Sequence, residues 1–211
     1  MKLDSPPENG MGDLRNIGGI QMETAQLITE AVAATGKVTA GLSADVRSNV
    51  TPCADFDVHG LAGHVAGFYA GSALAGRKEG GPAGDSSPDL LGSNPAAALA
   101  DLGSKLADAW GTPGAFEGTT KFGPGEMPAQ MAGSITMFET LVHGWDFAKA
   151  TGQEFQISDE LAAASLVVAQ QICNKDSRER GAFGPEVQVP ADANAFDRAL
   201  GLSGRDPGWS G

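Results

Sequence analysis

The chain has three histidines, His59, His64 and His143, and their neighbours decide what chemistry they could do. Glu139 stands four residues before His143, and Asp146 three after it. On a helix Glu139 and His143 are about 40° apart, and Asp146 returns to within about 20° of Glu139, so the three make one polar stripe. Met131, Ile135, Phe138 and Val142 run beside it as an apolar stripe, which puts the polar one at the edge of the core-facing side. A carboxylate and an imidazole at that spacing can chelate a metal from one helix. His64, between Leu61 and Val65 and one turn before Phe68, points inward; His59, about 140° away around the same helix, faces outward. If the two helices face each other, His64, Glu139 and His143 converge as two imidazoles and one carboxylate. Three protein ligands leave positions open for water or substrate, as in catalytic metal sites.

Plainer readings stand beside this one. A Glu and a His four apart also arise by chance, and a single inward histidine is often a hydrogen-bonded core residue. Asp146 could orient His143 or a bound water, be a solvated carboxylate, or pair with an Arg or Lys. Cys53 has no basic neighbour in sequence to activate its thiol and reads as a small packed residue. Trp110 and Trp145 read as core or pocket wall. There is no G-x-S-x-G elbow, phosphate-gripping G-x-x-x-x-G-K-[ST] or dinucleotide G-x-G-x-x-G.

The elements that must position these residues are helices. Leu14, Ile17, Ile20, Leu27, Ile28, Ala31 and Val32 predict a helix from Asp13 to about Thr35, with Gly36 as its stop. Residues 37–50 read as a short helix or loop. Asp57 is the expected N-cap of VHGLAGHVAGFYAGSAL, the helix of His64. Residues 76–93 form a long Gly/Pro/Ser/Asp loop, and Asn94-Pro95 opens a helix to about Trp110. A Gly/Pro-rich connection, 111–127, leads into the helix of Glu139 and His143, about Pro128 to Ala150, ended by Thr151-Gly152. Ser158, with Asp159 and Glu160, starts a fifth helix, and an extended stretch and a short helix near Phe196–Leu202 complete the chain. Strands are nearly absent. The fold class is all-α, a bundle of four main helices with long crossover connections and a short extended and helical C-terminal tail. Residues 1–12 read as a flexible tail and 13–211 as a single domain.

Composition narrows the partners. The 211 residues carry 14 Lys and Arg against 26 Asp and Glu, a net charge of −12. Such a surface repels nucleic-acid phosphates and anionic membranes. Two cysteines make no disulfide framework, the N-terminus lacks a signal-peptide pattern, and no run reaches the about 18 apolar residues that a spanning helix needs. The expectation is a reduced, cytoplasmic, soluble protein.

Three blocks carry a resemblance: TPCADFDVHGLAGHVAGF, FETLVHGWDFAKATGQ and FGPEVQVPADANAFDRALGLSGRDPGW. They resemble the DinB/YfiT-like metal-binding four-helix proteins, in the branch related to mycothiol-dependent maleylpyruvate isomerases, and correspond to their N-terminal domain. The resemblance implies metal ligands at His64, Glu139 and His143, a divalent metal of the zinc or nickel kind, and a low-molecular-weight thiol such as mycothiol bound to it as thiolate. Metal coordination lowers a thiol's pKa, which makes a nucleophile available at neutral pH. The thiolate could add to an electrophilic alkene, giving isomerisation after elimination, or displace a leaving group, giving S-transfer. The full isomerases carry a second C-terminal domain that this chain lacks, so its substrate contacts are not expected here.

The expected function is therefore a metal-dependent thiol S-transferase or thiol-dependent isomerase acting on a small electrophile. Loops 76–93 and 111–127 would form the mouth, and Asp146 would orient His143. The alternatives are a non-catalytic, metal-stabilised binding protein and metal-assisted hydrolysis by an activated water. A homodimer is common among such look-alikes.

Overall fold

The computed structural model describes residues 11–80 and 88–211, with side chains from residue 23 onward and again from residue 89. The tail expected at residues 1–10, the side chains of Leu14, Ile17 and Ile20, and loop residues 81–87 fall outside that description. Seven helices are described: α1 (Met11–Thr39), α2 (Val58–Gly76), α3 (Pro95–Trp110), α4 (Ala129–Thr151), α5 (Asp159–Ile172), α6 (Lys175–Glu179) and α7 (Ala195–Ser203). One antiparallel hairpin, β1 (Thr119–Phe122) and β2 (Gly125–Pro128), lies in the connection before α4. The chain is all-α with long crossovers, as expected.

The helix starts follow side-chain capping. The carboxylate of Asp57 accepts from the Gly60 N–H at 2.7 Å, and the Asn94 side chain accepts from the Ala97 N–H at 3.1 Å ahead of Pro95. Ser158 Oγ accepts from the Leu161 N–H at 3.2 Å, and Gly152 closes α4 in the left-handed region at φ 68°. Gly36 is not the end of α1, which runs on to Thr39. A glycine inside a helix costs only about 1 kcal/mol. Burial of Thr35, Val38 and Thr39 on either side of Gly36 outweighs that cost. The segment that follows holds a 3₁₀ turn at Ala44–Val46. The hairpin and α6 were not legible as regular elements, being only four and five residues long.

Packing sets α2 at the centre. Trp110 Nε1 donates to Ser72 Oγ at 3.0 Å, and Gly76 lies against the Ala109 backbone near the same end of α3. About two turns earlier in both helices Tyr69 lies against Gly103, so α2 and α3 run in the same direction. Against α4 the sense is reversed: Ser72 meets Thr136, and His64 meets His143. Trp110, Phe138, Phe147, Ile28, Leu61 and Leu141 are fully enclosed between these helices.

Helix α1 closes on α4 at Gly144, where Thr35 Oγ1 donates to Thr140 O at 2.9 Å. A Cβ at Gly144 would come within 2.9 Å of the Phe155 ring and closer still to Thr35. Gly144→Ala is expected to destabilise the fold by about 1–3 kcal/mol, as overpacking does. Urea midpoints of the two proteins would show it, and an unchanged midpoint would contradict the packing described here.

Candidate metal centre

Helix α4 presents Glu139, His143 and Asp146 on one face towards α2. The His143 ring is held from both sides: Nδ1 is 3.0 Å from Asp146 Oδ2, and Nε2 is 3.3 Å from Glu139 Oε2. Asp146, with no exposed surface, also accepts from Arg205, with Nη2 at 3.1 Å and Nε at 3.4 Å. Arg205 follows the left-handed Gly204 that ends α7, and its side chain is only 11% exposed. His64 reaches across from α2 and meets His143 edge-on, with ring centroids 5.0 Å apart at 84°. Phe56, in the loop before α2, stacks on the other side of His64 at 5.2 Å.

The protonation states follow from these neighbours. Burial, with His143 alongside, pushes His64 well below its ordinary value, to about 4, so it is a neutral imidazole at pH 7. Burial alone would raise Glu139, but His143, Arg205 and His64 outweigh it and hold the carboxyl below its usual range. For His143 burial opposes the charged ring, and the hydrogen bonds to Asp146 and Glu139 win, so its pKa is raised. The pair therefore favours a protonated His143 facing an ionised Glu139 across 3.3 Å. Burial pushes the Cys53 thiol up to about 11, an effect Arg205 only partly offsets.

Of the residues singled out in the sequence, His64, Glu139 and Asp146 each meet the His143 ring. The structure adds a grouping that sequence reasoning missed. Cys53, His143 and Asp146 each offer a donor atom, all within 4.8 Å of one another, a set able to hold a metal ion. Cys53 was set aside for want of a basic neighbour in sequence; that neighbour is Arg205, far along the chain. The GRDP block that contains Arg205 was visible as a motif, but nothing in its spacing linked it to Asp146. Of the two loops expected at the mouth, 111–127 sends Phe122 edge-on against Phe68, one turn beyond His64, at 6.2 Å. Among the described residues, Phe56 of the 51–57 loop touches His64 and Arg205 after α7 touches Asp146. His59 lies elsewhere on α2, with both ring nitrogens beside Arg47.

Cys53, His143 and Asp146 make a possible metal site, and His64 and Glu139 adjoin it through the His143 ring. The carboxylate on His143 Nδ1 is the kind of partner that fixes the tautomer of a ligating histidine. Among the described residues no helix is long and apolar enough to cross a membrane.

Comparison with known proteins places residues 28–148 in the profile of the mycothiol maleylpyruvate isomerase N-terminal domain. Two uncharacterized proteins of Mycobacterium tuberculosis, from strains CDC 1551 / Oshkosh and ATCC 25618 / H37Rv, are each 30% identical to the chain over 169 residues. Each alignment covers 79% of this chain and 88% of the relative. No solved structure matches it.

Proposed function

The chain belongs to the mycothiol maleylpyruvate isomerase N-terminal domain family, and on that premise we propose that it binds a divalent metal, zinc or nickel, through His64, Glu139 and His143 for thiol chemistry on a small electrophile. The reaction is S-transfer or thiol-dependent isomerisation, with mycothiol or a similar small thiol as co-substrate. The observation that carries this reading is the His143 ring, fixed by Asp146 at Nδ1 with Nε2 turned to Glu139 and His64 beside it.

The alternative donor set built on Cys53 is less suited to a cation. The Asp146 carboxylate is already matched by Arg205 and by His143 Nδ1, and the Cys53 thiol is held protonated. A metal there would have to displace the guanidinium and deprotonate the thiol together. At His64, Glu139 and His143 the cost is smaller: His64 is already neutral and Glu139 already ionised at pH 7, and only the proton on the His143 Nε2 facing Glu139 has to leave.

A divalent metal at these ligands supplies a Lewis acid that stabilises a thiolate at neutral pH. The chain's own residues do the rest. Asp146, anchored by Arg205, keeps His143 in one orientation and one tautomer. Phe56 covers the His64 ring and keeps water from that side. His64 and Glu139 are both half-buried while His143 is buried, so thiol and electrophile approach on the side of His64 and Glu139.

Glu139→Gln tests the catalytic reading. The expected result is at least a hundredfold loss of thiol-dependent consumption of an electrophile such as chlorodinitrobenzene or maleylpyruvate, with the circular dichroism spectrum retained. Metal binding that raises the melting temperature, with no thiol-dependent turnover across a panel of thiols and acceptors, would instead favour a non-catalytic, metal-stabilised binding protein.

A further inference from the structure

A second cavity lies on the other side of α2 from the metal centre, and it does not depend on that centre. It has a volume of about 180 Å³ and sits between the 3₁₀ turn at Ala44–Val46, the start of α2 and the start of α3. Its walls are unusual for this chain. The protein carries 26 Asp and Glu, yet no carboxylate lines the cavity, while Arg47 and His59 both do. Arg47 Nη2 stands 3.1 and 3.3 Å from the two ring nitrogens of His59. Arg47 is exposed and its guanidinium has no carboxylate partner among the described residues, so a ligand oxyanion can pair with it without displacing one. Ser43 also lines the cavity, and its side chain makes no capping bond to the 3₁₀ turn. The N-terminal end of the 16-residue α3 lies at the same place; Asn94 caps its Ala97 N–H and Pro95 has none, so it adds only the helix dipole. Leu42, Val58 and Pro95 supply apolar wall.

The arrangement is built rather than incidental to a mobile loop. The His59 N–H donates to Arg47 O and the Val58 N–H to Asn49 O, both at 3.0 Å, which clamps the Arg47 segment to the first turn of α2. The backbones that carry Arg47 and His59 are therefore fixed relative to each other before any ligand arrives.

We propose that this cavity binds a small organic oxyanion, whose charged end lies between Arg47, His59 and Ser43 and whose short apolar body lies against Leu42, Val58 and Pro95. Two oxyanion chemistries meet that description, a carboxylate and a phosphate monoester, and a titration separates them. The full-length, metal-loaded protein is titrated with butyrate, methyl phosphate and the uncharged control butyramide, read by amide chemical shifts at constant ionic strength. The expected result is saturable shifts at Ala44, Arg47, His59 and Ala96 with butyrate or methyl phosphate and none with butyramide. Arg47→Gln, at an exposed position, should weaken that binding at least tenfold while the rest of the spectrum is kept. Butyrate alone identifies a carboxylate site, and methyl phosphate alone a phosphate site. Saturation by neither anion, equal binding of butyramide, indifference to Arg47→Gln, or shifts confined to α4 and His64 would each overturn the proposal.

Discussion

His143→Ala and His64→Ala are each expected to strip the divalent metal from the purified protein. Elemental analysis should fall from about one ion per chain to below about a tenth, because a three-ligand centre that loses an imidazole keeps too few donors to compete with buffer. The physical basis is the shared position of His143, between Glu139 on its own helix and His64 on α2. His64→Ala removes a neutral imidazole, and after His143→Ala the Glu139 carboxylate, 22% exposed, still reaches water while Asp146 keeps Arg205, so the bundle should survive both changes. Cys53→Ala is the companion measurement. If it removes the metal while His64→Ala retains it, the centre is the Cys53, His143 and Asp146 set and the proposed ligands are wrong. Full metal content in all three variants, or none in the wild type after reconstitution, would remove the metal centre altogether.

The largest effect on stability is expected from Asp146→Asn. The substitution keeps the shape of the side chain and removes only its charge. It leaves Arg205, 11% exposed, without its carboxylate in the protein interior. Breaking a buried pair from one side costs about 3–5 kcal/mol, since the other charge stays desolvated. Urea unfolding of the metal-free protein would read this directly. The same change loosens the Nδ1 partner of His143 and should weaken metal affinity about 10–100-fold, measurable by competition with a chelator. Adding Arg205→Met separates the two effects. The double variant should recover most of the stability, because no buried charge is left unpaired, but not the affinity, because His143 is still held by a neutral amide. A double variant no more stable than Asp146→Asn would mean that the ion pair is not the source of the loss.

What could be read from the sequence follows from how local each signal is. The 3.6-residue period put Glu139, His143 and Asp146 on one face of α4, and it put His64 inward on α2 and His59 on another face. The caps at Asp57, Asn94 and Ser158 were readable because a cap acts within three residues of itself. Gly36 misled because propensity is a weak force: the helix end was decided by the burial of Thr35, Val38 and Thr39, which no local pattern states. Arg205 and Cys53 could not be placed at the centre because their neighbours there are set by how α7 and the 51–57 loop fold back on α4. The carboxylate-free cavity beside His59 was invisible for the same reason, since its walls come from three separate stretches of chain.

The Asp146–Arg205 pair spans 59 residues, and this has a consequence for the order in which the protein assembles. During synthesis α2 and α4 can pair and bring the three proposed metal ligands together while α7 and Arg205 are still unmade. Until Arg205 arrives, enclosing the Asp146 carboxylate would bury a lone negative charge, so that end of the bundle is expected to stay hydrated and open. Metal can therefore enter before the interior seals. Docking of the α7 segment then closes the route and fixes the Asp146–His143 geometry, so slow metal release from the finished protein should be governed by undocking of that segment rather than by the ligands themselves.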